Sequence, residues 1–272
     1  MRTVLGAALG MLTGLAGTAG AIQQAPIRDN SFLVEEAFNQ EAGVVQHVVL
    51  LQRPRHGGGW VLGVTQEWPV PGPRHQLGFT VPVVRSAGLG PGTATGPGDV
   101  LVNYRFQAVG RESGRVWVAP RASLVIPSGA WRNGHGEGSA GVQLALPASW
   151  QPLPTVAAHL NASLSLLPGA RNPAGDRASL ARLGGGASLI WLAHPSVNLL
   201  AELVLEDGAE VRGEGAISRR AAMFLAPGVR WAHNLANGVQ VVPGVAYAVG
   251  LGRASRESAL LLYLSVEHRF RR

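Results

Sequence analysis

Three residues on one short stretch, His159, Asn161 and Ser163, carry side chains that acyl hydrolysis uses: an imidazole base, an amide and a hydroxyl nucleophile. Their spacing works against that chemistry. On a β-strand, positions i, i+2 and i+4 share one face but are stacked too far apart for His159 to take a proton from Ser163 directly. Polar lining of an interior face accounts for them equally well. His135 and Glu137, in the glycine-rich run Gly134 to Gly138, are two candidate metal ligands, fewer than a catalytic metal site takes. Gly184-Gly185-Gly186 has no helix pattern after it, so it is no phosphate cradle; it marks a bend, a bulge or a place where another segment packs against the wall. There is no cysteine, which excludes a disulfide framework and thiolate ligation. No cofactor, no metal and no catalytic residue is expected.

The elements carrying these residues alternate with period 2. In Val100, Val102, Tyr104 and Phe106 every second residue is apolar, with Asn103, Arg105 and Gln107 between them. The pattern returns at Leu77 to Val81, Val156 to Leu164 and Leu260 to Val266. Segments of about ten residues with one apolar and one polar face, repeated along a chain, specify a membrane-spanning β-barrel. The polar phase then predicts lumen-lining residues: Asp99, Arg105, Arg121, His159, Arg182, Glu202, Arg230 and Glu267, with Glu67, Arg115, Glu206 and Arg269 in the same phase. Two readings of these charges stand open. Both signs occur, so they can pair across the interior and brace the wall. Alternatively, Arg105, Arg121, Arg182 and Arg230 form a positive ladder that guides anionic or hydroxylated aromatic solutes.

Composition agrees with a lipid-facing exterior. Charged residues make up 14% of the chain, against about a quarter in soluble domains, too few to coat a water-facing surface. The formal net charge is +7, and every basic side chain is arginine. These arginines are scattered singly with no aromatic-interleaved basic run, so nucleic acid is not an expected partner. Met1-Arg2 followed by the apolar stretch Val4 to Ala16 and the small residues Ala19-Gly20-Ala21 reads as a signal peptide over 1–21, directing export. Residues 22–43 are too charged and irregular to cross lipid. They are expected to form a periplasmic N-terminal segment, a short helix or a plug at the barrel mouth or within the lumen. Residues 44–272 are expected to form the barrel.

About twelve strands fit, including Gly138 to Leu146, Thr155 to Leu166 and Ser179 to Trp191, an even number that returns both ends to the periplasmic side. The predicted connections sort by parity, with Gln52 to Gly58 the one exception. Turns such as Pro69 to Arg74, Pro147 to Pro154 and Leu192 to Ser196 are short, whereas the opposite set, such as Arg85 to Pro97, Pro127 to Glu137 and Leu167 to Ala178, is longer. Trp68, Trp150, Trp191 and Trp231 fall at strand ends on the short-turn side, where an interfacial aromatic girdle belongs. Trp117 falls in lumen phase, which the girdle does not explain.

The stretches Glu35 to His47, Gln66 to Pro71, His75 to Leu77, Gly98 to Phe106 and Ala119 to Gly129 together resemble the phenol-degradation MetA-pathway family of outer-membrane proteins. Pro227 to Ala232 and Tyr263 to His268 fit the same likeness, which covers almost the whole chain after the leader. The resemblance implies an outer-membrane barrel that passes small molecules, aromatic or hydrophobic compounds among them, in contact with outer-membrane lipid and inserted by the barrel assembly machinery. Such barrels end in a strand with a terminal aromatic; Phe270 fills that part, but Arg271 and Arg272 follow it. From the polar inner face and this resemblance together, the leading expectation is an outer-membrane channel for passive uptake of a small-molecule solute, aromatic or hydrophobic molecules among them. A structural or ligand-binding barrel with a plugged lumen is the alternative, and a lipid-modifying enzyme is third.

Overall fold

The computed structural model describes residues 27, 31–86, 94–110 and 114–270, so the expected leader lies outside the described residues. The chain forms a closed antiparallel barrel of twelve strands. These are β1 (Val44–Pro54), β2 (Trp60–Trp68), β3 (His75–Arg85), β4 (Val100–Phe106), β5 (Val116–Val118 and Arg121–Ile126), β6 (Gly141–Leu153), β7 (Val156–Arg171), β8 (Arg177–His194), β9 (Val197–Asp207), β10 (Ala221–Trp231), β11 (Gln240–Leu251) and β12 (Ser258–Arg269). Each pairs with its neighbours in sequence. The first and last strands close the ring, from Val44 opposite Arg269 to Pro54 opposite Ala259. Closure leaves no open edge, which lipid would not tolerate.

The outward rows are apolar and bare. Leu124, Leu160, Leu183 and Leu189 are about 60% exposed, and Trp150 and Trp191 more than half. A continuous belt of that kind belongs against hydrocarbon, not water. No helix among the described residues is long and apolar enough to cross a membrane, so the strands are the spanning elements.

Two strand boundaries differ most from expectation, both because proline and glycine read as turns. Leu167-Pro168-Gly169 does not end β7: pairing with β8 continues to Arg171 opposite Arg177, through a register shift between Ala178 and Leu180, with Gly169 at φ 70°. The connection shrinks to residues 172–176, so this hairpin is not one of the long loops. Likewise Pro147 lies inside β6, which runs to Leu153 and leaves a turn of residues 154–155. Its missing N–H falls opposite Ala119-Pro120, where β5 is itself interrupted, and the Pro147 carbonyl still accepts from Ala119 N at 3.1 Å.

The inner face is not uniformly polar, which corrects a simple lipid-out, polar-in reading. β3 to β7 line it with Gln76, Asn103, Arg105, Arg121, Gln143, Ser149, His159 and Asn161. From β8 to β1 the inner row carries Ile190, Leu200, Ala226, Ala246, Ala248, Leu261 and Val48, which form one buried cluster with Phe32 and Tyr263. The apolar cluster makes a dry sector around Phe32, while Ser188, Asn198, Glu202, Arg230 and Ser265 keep polar groups in the same inner rows.

Candidate functional site

Residues 31–43 run through the lumen, extended with bends and without a helix. A strap of this kind has no sheet partner, so its amides must find acceptors elsewhere. The wall supplies them as side chains. Leu33 N and Val34 N donate to the Glu202 carboxylate at 3.1 and 2.9 Å. Glu35 N donates to Asn161 Oδ1 at 2.7 Å, and Asn161 Nδ2 returns a bond to the Glu35 carbonyl at 2.8 Å. Ala37 N donates to Ser149 Oγ at 2.7 Å, Asn39 N to Gln107 Oε1 at 3.1 Å and Gln40 N to Gln76 Oε1 at 2.8 Å. Four wall strands, with Gln107 just past the end of β4, thus hold one short segment.

Arginines fix the middle of the strap. Arg105, 2% exposed, donates Nε to Asn39 Oδ1 at 3.0 Å, Nη1 to the Glu36 carbonyl at 3.1 Å and Nη2 to the Phe38 carbonyl, and its guanidinium lies 3.6 Å from the Glu36 carboxylate. Arg121 makes a two-bond pair with Glu35 at 3.0 and 2.5 Å and also reaches Asn103 and Gln143. The planar fork of arginine suits several convergent acceptors, where a lysine ammonium would satisfy fewer.

Apolar side chains of the strap dock on small residues of the wall. An added Cβ on Gly228 would stand 2.5 Å from the Phe32 ring, and one on Gly244 3.0 Å from it. One on Gly186 would stand 2.8 Å from Val34 Cγ2, so the glycine run of β8 is a place where another segment packs against the wall. Phe38 meets Trp117 edge-on at 4.8 Å, which gives the lumen-phase tryptophan its role.

The charged candidates therefore do not form a free ladder. Arg105 and Arg121 are matched by the strap. Arg182 pairs with Glu137 at 2.6 Å and donates to the Ala209 carbonyl at 2.8 Å, both on loops over the far mouth. Arg230 is 2% exposed beside the Phe32 notch. Glu267 borders a small vestibule with Gln40, Gln240 and Arg269 where the strap leaves the barrel. The bracing reading changes as well: the carboxylates that pair with Arg105, Arg121 and Arg182 come from the strap and a loop.

Asp99 sits at the loop mouth, where its carboxylate accepts Gly129 N at 2.9 Å and Glu137 N at 2.7 Å. Burial pushes this carboxyl above its ordinary range, and the two amides pull it back. Asp99→Ala removes both acceptors and is expected to cost the loop cluster about 1–3 kcal/mol locally. Limited proteolysis should cut residues 127–140 faster while the barrel keeps its heat-modifiable gel mobility.

The residues first considered for chemistry are engaged structurally. His159 Nδ1 meets Ser149 Oγ at 2.8 Å, not Ser163, and both are buried under the strap. Nε2 of His135 faces the Ala94 carbonyl at 3.2 Å and Glu137 is paired with Arg182, so these two hold loops in place. No group of three or more metal-ligating side chains occurs among the described residues. Sequence reasoning missed Glu35, Glu36, Gln76, Gln107 and Ser149; the uncharged ones share the inward phase already read from their strands, but the strap's carboxylates carry no periodic signal.

On the loop side of the strap, Ser31 to Glu35 form the floor of a cavity of about 380 Å³. Its lining is mixed: Val48, Leu50, Val61, Leu101 and Tyr263 are apolar, and Glu67, Thr80, Asn103, Arg121 and Gln143 are polar. Such a space suits a small amphipathic solute.

Comparison with protein-family models and with curated proteins finds no match. Solved structures do match. An outer membrane channel from Pseudomonas putida F1 aligns with a TM-score of 0.66 at 15% identity, over 86% of this chain and 98% of that one. The NanC porin aligns with a TM-score of 0.55 at 9% identity, over 82% of this chain and all of the porin. At these identities the likeness is one of fold: the chain has the architecture of outer-membrane channels and porins.

Proposed function

We propose that this barrel is an outer-membrane channel for passive uptake of small molecules, closed at rest by its own N-terminal segment. The observation that carries the reading is the manner of closure. The strap is held by side-chain hydrogen bonds and two ion pairs rather than by strand pairing, so it can leave without opening the barrel wall. The cavity above it, lined by apolar and polar side chains together, favours small aromatic or hydrophobic compounds as solutes, in keeping with the resemblance to the phenol-degradation MetA-pathway family. Buried anchors such as Glu202 and Arg105 favour a second reading, a ligand-binding or structural barrel whose plug never leaves.

Liposome swelling and planar-bilayer conductance separate the two. The intact protein is expected to give low, intermittent permeation, and a variant lacking residues 22–43 a steady and much larger one. If the truncated barrel remains heat-modifiable yet admits no small solute, the channel reading fails and the binding barrel stands.

A further inference from the structure

The seam where β1 meets β12 carries two imidazoles on its outward face. His47 and His268 lie on opposite sides of the closing strand pair, His47 opposite Val266 and His268 opposite Val45. Their ring planes are 18° from parallel with centroids 5.2 Å apart, and their Nε2 edges face each other across a 3.1 Å hydrogen bond. Both sit at the end of the barrel where the strap leaves, one to three residues inside the strand termini.

We propose that this pair binds a divalent transition-metal ion, Zn²⁺ or Cu²⁺ in class, and that the ion clasps the first strand to the last. Three observations converge. The spacing fits: two nitrogens each about 2.0–2.1 Å from a tetrahedral zinc stand about 3.3 Å apart, and cis positions of a square-planar copper about 2.8 Å apart. The tautomer fits too. His268 Nδ1 faces the Arg269 carbonyl at 3.3 Å, the outer hydrogen bond that places the proton on Nδ1, so His268 Nε2 accepts from His47 Nε2. A metal ion would take the place of that one proton, which leaves to water or moves to His47 Nδ1. The other six histidines are placed differently. His75, His135, His159, His194 and His233 each have a ring nitrogen bonded to a tyrosine, a carbonyl, a serine or a tryptophan, and His56 lies in the exposed turn after β1. With two protein ligands the remaining positions belong to water, which the rim supplies. Gln66 stands opposite His47 on β2 and extends the polar patch.

The clasp is independent of whether the lumen conducts. It is tested on the full-length protein without an affinity tag, in detergent, by titration calorimetry with Zn²⁺ and by electron paramagnetic resonance with Cu²⁺. One equivalent of metal should bind, with two-nitrogen splitting in the copper spectrum, and the barrel should keep its folded gel mobility to a higher temperature until a chelator is added. A lost ligand should cost at least as much as a lost outer partner of one, so His47→Gln and His268→Gln are each expected to weaken binding by roughly tenfold or more. His233→Gln, at the same end of the barrel, should bind as the parent does. Absence of binding to the folded parent overturns the proposal. So does binding that survives both substitutions, which would place the metal elsewhere on the chain.

Discussion

Arg105→Ala should open the barrel. The guanidinium and the Glu36 carboxylate it faces are both almost wholly enclosed, with side chains 3% and 1% exposed. Removing one member of a buried pair leaves the other without its countercharge, at a cost of about 3–5 kcal/mol. The same change strands the carbonyls of Glu36 and Phe38 and the Asn39 amide oxygen, each of which accepts from Arg105. The strap has a cheaper course than enduring this inside the lumen, since it can withdraw and solvate Glu36 at the mouth. The expected result is therefore higher conductance with little loss of barrel stability, because no strand pairing is touched. Arg105→Lys should give an intermediate, flickering conductance, since one ammonium cannot meet all of these acceptors. A closed Arg105→Ala channel would show that the remaining anchors suffice without this one.

The second large effect concerns the notch that receives Phe32. Phe32→Ala removes a buried aromatic ring from the cluster with Leu200, Ala226, Ala246, Leu261 and Tyr263, at about 3–5 kcal/mol. Gly228→Val attacks the same contact from the wall. Its Cβ would meet the Phe32 ring at 2.5 Å, Ala246 Cβ at 2.7 Å and the Val245 carbonyl at 3.0 Å, so a rotation of Phe32 alone cannot relieve it. Both variants should raise solute permeation and expose residues 31–43 to protease. The double variant should be less perturbed than the sum of the singles, because truncating Phe32 vacates the space that the new valine needs. Strict additivity in the permeation rates would mean that the ring and the glycine do not act on each other.

The barrel was legible because its signal is periodic. Rows such as Val100, Val102, Tyr104 and Phe106 declare both the strand and the face it turns to lipid, and twelve such segments fit a closed ring. Strand ends were less legible where Pro147 and Leu167-Pro168-Gly169 imitate turns, since only the partner strand shows that the missing donor is unneeded or that a bulge absorbs the extra residue. The inward phase of Arg105, Arg121, Glu202 and Arg230 could also be read, but their partners could not. Those partners sit on a segment without periodicity, whose conformation is imposed by the acceptors around it. The dry sector was hidden for a related reason: inward residues such as Leu200, Ala246 and Leu261 are hydrophobic because Phe32 packs among them, and no local pattern announces that neighbour.

That dry sector has a consequence for how β10 and β11 find each other. Where one side of a hairpin is hydrophilic, sliding by a single position turns polar groups into oil and is punished at once. Away from Arg230, Ala226 and Ala246 look inward while Leu225 and Val245 look outward, so greasiness in that stretch scarcely distinguishes the correct alignment from its neighbours. Shape takes over that duty: Gly228, opposite Ala246, and Gly244, opposite Arg230, must become diagonal neighbours to accept a single phenyl ring. The tethered stopper thereby serves as a gauge block for the last strands of the wall.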